Sequence, residues 1–334
     1  LSAASVRMAR RNVIVRSLPA VEGLGSCTVI ASDKTGTLTM NVLTVKRLWL
    51  PGFGELEVTG EGYSPEGGLK RALDEPAMDR VRRLALAGTL CNGALFEPDG
   101  RGFRHFGDSV DVAFLVLAAK FAIARDALIG RFPEVGAIPY EPSLKFAASF
   151  NRRDEAGDGV LAHVKGAAEV VLPMCGGIDV DAMLAEGQAL AARGYRVLAV
   201  AAGAVAGATP GQATDHRLEG LEFLGFAGLI DPLRPEAAEA VRVCHQAGIA
   251  VQMVTGDHPA TALSIARELG IASSGGRVLT GRDLARMNPR SPEDDRAIAE
   301  TAVFARVEPL QKLMIVESLN RLGHFVAMTG DGVN

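Results

Sequence analysis

One arrangement recurs three times in this chain and narrows the folds open to it: a short apolar run closing on a polar loop that carries Asp and Gly. Residues 27–31 run into Ser32-Asp33-Lys34-Thr35-Gly36, residues 249–254 into Thr255-Gly256-Asp257, and residues 325–328 into Thr329-Gly330-Asp331-Gly332. Apolar runs of this length, bounded by turn residues, read as buried strands. Helical patterns over 235–247, 259–269 and 309–322 lie between the later ones, each with Pro at its start and Gly just past its end. Alternating strands and helices predict an α/β fold, a doubly wound parallel sheet with helices on its faces. Ligands of such sheets bind at the carboxyl ends of the strands, where the three loops would meet.

The first loop lies far up the chain from the second, so an inserted domain is expected over 42–230. Residues 1–41 and 231–334 would then be the two parts of the sheet domain. Within the insertion, strands are expected at 45–50 and 56–60 around Pro51-Gly52-Phe53-Gly54, and at 196–201. A helix should run from a Ser109 N-cap through Asp111 to about Leu128. Residues 145–150 and 159–164 should pair antiparallel around a turn-rich 154–158, and the Ala/Gly-rich 202–213 should be a loop. This is an α+β pattern, mainly antiparallel.

Composition excludes several classes. At 334 residues the chain is long enough for two domains. A net charge of −4 leaves no basic excess to attract nucleic acid. The four cysteines are scattered and form no CxxC pair, which argues against a disulfide scaffold and a structural zinc site. A bilayer span needs about 20 mostly apolar residues; 197–208 is too short, and the apolar stretch after Asp111 is interrupted by Lys120. The basic opening Arg7-Met8-Ala9-Arg10-Arg11-Asn12 suits either a site beside a membrane helix or a solvated turn. The far end stops at Asn334, inside a phosphate-type loop, so the chain is expected to be a fragment of a longer polypeptide.

The chemistry suggested by the loops is phosphoryl transfer. A carboxylate at a strand end, such as Asp33, can attack phosphorus. Lys34, the Thr hydroxyls and the N–H groups near Gly36 can hold phosphoryl oxygens. Lys312 could bring an ammonium from its helix, or be an ordinary surface lysine. Asp33 and Asp331, with Thr35, could share one Mg²⁺; Asp331 also suits a plain Asp-Gly turn. Thr255 and Gly256 could donate to phosphate, and Asp257 could accept from nucleotide or lysine, unless the three simply form a strand-to-helix turn.

Taken together, Asp33-Lys34-Thr35-Gly36-Thr37-Leu38-Thr39 closely resembles the phosphorylation signature of the P-type ion-pumping ATPases. The resemblance implies a haloacid-dehalogenase-like sheet domain with an inserted nucleotide-binding domain. Related phosphatases carry an acid two residues after the nucleophile, where this chain has Thr35. Losing a general acid-base slows proton transfer by about 10²–10⁴-fold, so an aspartyl phosphate would persist, as a pump requires.

Further motifs extend the resemblance. Lys165-Gly166-Ala167-Ala168-Glu169 resembles Lys-Gly-Ala-Pro-Glu, with Ala168 departing from it. Tyr140 takes the place of an aromatic that stacks on adenine, or is a core or edge-strand aromatic, with Lys145 nearby; Pro142 stands where relatives have a basic residue. Gly107-Asp108-Ser109-Val110-Asp111 resembles Gly-Asp-Pro-Thr-Glu, so Asp111 either meets the adenine amino group or is an acid in a helix's first turn. Arg196 would reach the phosphates. Asp231-Pro232-Leu233-Arg234-Pro235 resembles the Asp-Pro-Pro-Arg hinge, and Arg306 and Asn334 fall in later motifs of the family. The style is that of the calcium- and sodium-pump branch.

The implied cofactors are ATP and Mg²⁺. The implied partners are transmembrane and actuator domains of the same polypeptide and a transported cation, with Ca²⁺ suggested by the branch, at the cytoplasmic face of a membrane. Alone, the chain is expected to bind ATP weakly and form little phosphoenzyme. The alternatives are a stand-alone haloacid-dehalogenase-like phosphohydrolase and a nucleotide-binding module without chemistry.

Overall fold

Strand β1, Val29–Asp33, begins later than the apolar run 27–31 and ends on the carboxylate itself. Pairing on both sides carries it there: Ser32 is in register with Met253 and Thr329, and Asp33 with Val254. The structure, a computed structural model, describes residues 2–10, 12–17, 23–100, 102–152, 159–205, 218–273, 275–288 and 290–330. Asp331, Asn334, the turn 154–158 and most of the Ala/Gly-rich run lie outside the described residues.

After β1 the chain forms β2 (Thr44–Leu50), β3 (Gly54–Glu57), β4 (Leu95–Asp99), β5 (Gly102–Phe106), β6 (Glu134–Ile138), β7 (Phe146–Arg152), β8 (Val160–Gly166), β9 (Arg196–Ala204) and β10 (Glu222–Ile230). It continues with β11 (Ala250–Thr255), β12 (Val278–Thr280), β13 (Val303–Ala305) and β14 (Val326–Thr329). Two compact units result, one from Leu1–Asn41 with Leu233–Asn334, the other from Val42–Pro232.

The first unit is built on a parallel sheet in the order β12-β13-β11-β1-β14. Strands covered on both faces are apolar on both, as parallel sheets require. On one face Val251 and Met253 meet Val241, Ala262 and Ile265 from helices Ala237–Gln246 and Pro259–Glu268. On the other, Val29, Ala31 and Val254 meet Ile315 and Leu319 of helix Pro309–Arg321.

The second unit holds an antiparallel sheet, β3-β2-β10-β9-β8-β7-β6, and a separate β4-β5 hairpin. Helices Glu75–Leu90 and Ser109–Lys120 cover one face through Val81, Leu84, Phe114 and Leu117. Val171, Leu172 and Leu190 line the core on the other.

Three local expectations are corrected. The helix beginning at Ser109 is capped by Asp108, whose carboxylate accepts from the Val110 N–H at 2.9 Å. That helix stops at Lys120 and not near Leu128: Ala122 turns left-handed (φ 56°) and the Ile123 N–H closes back on the Ala118 carbonyl. A short helix, Arg125–Arg131, follows. Strand β3 ends at Glu57, and Val58 makes only an isolated bridge to Leu69. Among the described residues no helix is long and apolar enough to cross a membrane.

Candidate functional site

In the first unit, helix geometry sets a lysine over the Asp33 carboxylate. Ile315 and Leu319 are fully buried against the β1 face that carries Val29 and Ala31. Lys312 precedes them by one and two turns on the same stripe, while Asp33 continues the alternation of Val29 and Ala31. The Lys312 ammonium lies 2.6 Å from Asp33 Oδ2, with the carboxylate side chain only 9% exposed. A charge so enclosed needs a partner, and Lys312 provides it. Among the described residues Oδ1 takes no hydrogen bond.

The loop after β1 wraps tightly. The Thr39 N–H reaches back to the Lys34 carbonyl at 3.1 Å, and Thr39 Oγ1 donates to the same oxygen. Gly36 takes the left-handed conformation (φ 73°) that this turn requires. Arg234 secures the loop from outside, donating from its guanidinium to the Gly36 carbonyl and from its backbone N–H to Leu38. Lys34 is buried and paired with Asp257 at 2.6 Å. Thr255 is buried at the end of β11, and its hydroxyl accepts from the Asp257 N–H. Gly256 is exposed with open space beside its Cα. The Arg306 N–H donates to the Asp257 carbonyl, and its backbone is left-handed (φ 53°). Thr35 is half-buried, and Gly330, the residue after β14, lies against Asp33. Asp33, Lys34, Lys312, Thr255, Gly256, Asp257, Arg234 and Arg306 are thus brought to one end of one sheet. Among the described residues no three His, Cys, Asp or Glu cluster as metal ligands.

In the second unit the structure joins Asp111 to Lys165. Lys165 lies on the β8 face that packs on the two long helices, in register with buried Val200. Its ammonium meets Asp111 Oδ1 at 2.5 Å and stands 5.2 Å from the centre of the Phe114 ring. Asp111 Oδ2 accepts from the Gly93 N–H at 2.8 Å, and Asn92 Nδ2 donates to the Asp111 carbonyl. A Cβ on Gly166 would stand 2.6 Å from the Lys145 carbonyl and from Phe146 Cβ. Its bareness serves the approach of β7. Lys145, left-handed at φ 59°, extends to Glu169 at 3.2 Å. Tyr140 is 62% exposed beyond β6, so it is no core aromatic. Arg196 is exposed at the start of β9. Asp231 accepts from the Val42 N–H at 3.0 Å.

Sequence reasoning missed the Asn92-Gly93 turn that grips Asp111 and the Phe114 ring beside Lys165. Both depend on contacts across the fold; only the Asn-Gly pair, a turn signal, marked the spot. It also missed the buried cluster of Ser149, Asn151 and His163 on β7 and β8, joined by bonds of 3.0 and 2.9 Å to Asn151 Oδ1.

Residues 80–236 match the family model described as P-type ATPase, cytoplasmic domain N. The chain is 43% identical to "Cation-transporting ATPase pma1" of Synechocystis, over 98% of its own length and 38% of that protein. It is 42% identical to "Probable cation-transporting ATPase F" of Mycobacterium bovis and 34% to "Calcium-transporting ATPase" of Bacillus subtilis, each over 100% of this chain and 38% of the relative. The chain belongs to the P-type ATPase family. It spans about two fifths of the length of these relatives.

Proposed function

We propose that this chain is the nucleotide-binding and phosphorylation portion of an ATP-driven cation pump, with Asp33 as its nucleophile. The observation that carries this is the Asp33–Lys312 pair at the carboxyl end of β1, one carboxylate oxygen held and the other without a partner among the described residues. In this reading MgATP is the substrate. Magnesium favours one or two carboxylates with phosphate oxygens and water. Asp33 with Thr35 fits that set, and Asp331 is the proposed second carboxylate.

An Asp33 oxygen attacks the γ-phosphorus, the bond to the bridging oxygen breaks, and ADP leaves with that electron pair. Lys312, Thr255 and the Gly256 N–H take up the charge on the transferring group. Lys34 stays anchored on Asp257. With Thr35 in place of an acid, nothing on this loop activates water, and the aspartyl phosphate lasts long enough to be coupled to transport. Tyr140 stacks on the base, Lys145, Lys165 and Arg196 face the nucleotide's charge, and Asp111 meets the amino edge while keeping Lys165. Asp231 and Arg234 flank the crossing between the chain's two units; Arg306, with Asn334, completes the phosphate end. Calcium is the proposed cargo, at the cytoplasmic face of a membrane.

The test uses the polypeptide that carries this segment with its flanking sequence. Radiolabelled MgATP should give an acid-stable, hydroxylamine-labile phosphoenzyme that Asp33→Asn abolishes. Lys312→Met should slow its formation by about 10²–10³-fold, the usual effect of losing one charge-stabilising donor. Steady, Asp33-dependent hydrolysis of small phosphoesters with no trapped intermediate would overturn the reading in favour of a phosphohydrolase. Normal ATP binding without phosphoenzyme would reduce it to a nucleotide-binding module.

A further inference from the structure

The second unit contains a half-open cavity of about 330 Å³ between the β4-β5 hairpin and the break after helix Ser109–Lys120. That volume falls in the range of small-ligand sites. Its walls are apolar: Leu95, Phe96, Leu115, Ala118 and Ile123, with Phe103 stacked on Phe96 at 4.7 Å between ring centres. One strong donor lines it. Arg125 spends Nη2 on the Asn92 carbonyl at 2.9 Å, while its Nε is buried without a hydrogen-bond partner, and no carboxylate pairs with its guanidinium among the described residues. Two acids share the lining. Glu97 is already taken by Arg104 at 3.1 Å, and Asp126 is exposed in the first turn of helix Arg125–Arg131.

A half-buried guanidinium with no carboxylate paired to it among the described residues is expensive to leave unmet, and among apolar walls it selects a ligand with an anionic head and a flat apolar body. We propose that this cavity is a binding site for a small aromatic carboxylate, anchored by Arg125 and seated against Phe96. The site lies outside the nucleotide residues proposed above and does not depend on their roles. It is nonetheless wired to one of them: Arg125 holds Asn92, and the next residue, Gly93, donates to the Asp111 carboxylate. A ligand that draws on Arg125 therefore pulls on the turn that orients Asp111.

The probe is 1-naphthoate, titrated into the full 334-residue chain without nucleotide and followed by calorimetry and by the amide resonance of Gly93. Saturable one-to-one binding is expected, with a shift of the Gly93 signal. Arg125→Gln should weaken binding at least about tenfold, the worth of one charge-assisted hydrogen bond. Arg125→Lys should fall between, and Ala119→Leu should fill the cavity and block the probe while the thermal midpoint shows the chain folded. Neutral 1-naphthamide should bind at least as weakly as 1-naphthoate does to Arg125→Gln. Absence of saturable binding, equal affinity for naphthamide, or affinity unchanged in both Arg125→Gln and Ala119→Leu would overturn the proposal.

Discussion

A lysine ammonium with its side chain 6% exposed is a costly thing to keep in a fold, and Lys165 is kept by one carboxylate and one ring. Asp111 is its only carboxylate partner among the described residues, and both oxygens of that carboxylate are engaged. Removing one member of a buried pair strands the other charge, which is worse than losing both. Asp111→Ala should therefore destabilise the second unit by about 3 kcal/mol, while Asp111→Ala with Lys165→Met should recover a substantial part of it. Urea unfolding of the two single variants and the double variant reads this directly. A double variant as unstable as the sum of the singles would show that the pair is not coupled. The Lys312–Asp33 pair has the same form but a different consequence, because its lysine is proposed to move onto the transferring phosphoryl group and Asp33 is proposed to react.

At the scale of elements, the end of helix Ser109–Lys120 carries a local strain. Ala122 sits left-handed so that the Ile123 N–H can close on Ala118 and the Ala122 N–H on Ala119. Glycine is the residue such a helix end prefers, and a Cβ there costs about 1 kcal/mol. Ala122→Gly should raise the stability of the second unit by about that amount, seen as a higher urea midpoint at unchanged slope; a lower midpoint would mean that the Ala122 methyl contributes more through packing than its backbone costs. This break was illegible in the sequence, which continues apolar past Lys120 with no Gly or Pro until Gly130. By contrast β1 and β11 could be read from short apolar runs ending in loops with Asp and Gly, since a strand covered on both faces has no polar face to confuse the pattern; the edge strand β14 shows the same apolar run although Met328 is exposed. Strand β10 and helix Glu75–Leu90 went unread: the first is interrupted by Gly225 and Gly228, and the second is dense with arginines on its outer side. Within the site, which residues lie on which loop was legible. The pairings Lys312–Asp33, Lys34–Asp257 and Arg234–Gly36 were not, because each joins segments brought together only by the completed sheet.

For the molecule as a whole, pH enters through a histidine remote from the proposed chemistry. His163 is buried on β8, and burial pushes its pKa down from 6.5 to about 4. Its Nδ1 lies 2.9 Å from Asn151 Oδ1, which also accepts from Ser149, while Asn151 Nδ2 donates to the Phe132 carbonyl. An oxygen that accepts from Ser149 is best met by a neutral imidazole donating from Nδ1. The folded chain thus holds His163 uncharged, whereas the unfolded chain protonates it below about pH 6.5. The unfolded state then binds more protons, so stability is fully present above pH 6.5 and declines as pH falls toward 4. At pH 5 the loss from this residue is about 2 kcal/mol, at about 1.4 kcal/mol per pH unit. The single tryptophan, Trp49, reports on the same unit, since its ring packs against Phe223 and Phe226 in the core. Urea unfolding followed by Trp49 fluorescence at pH 7.5 and 5 should show wild type losing about 2 kcal/mol more than His163→Gln, whose side chain does not titrate. Equal losses in the two proteins would mean that His163 is already protonated in the folded state, or that the buried cluster admits the charge at no cost.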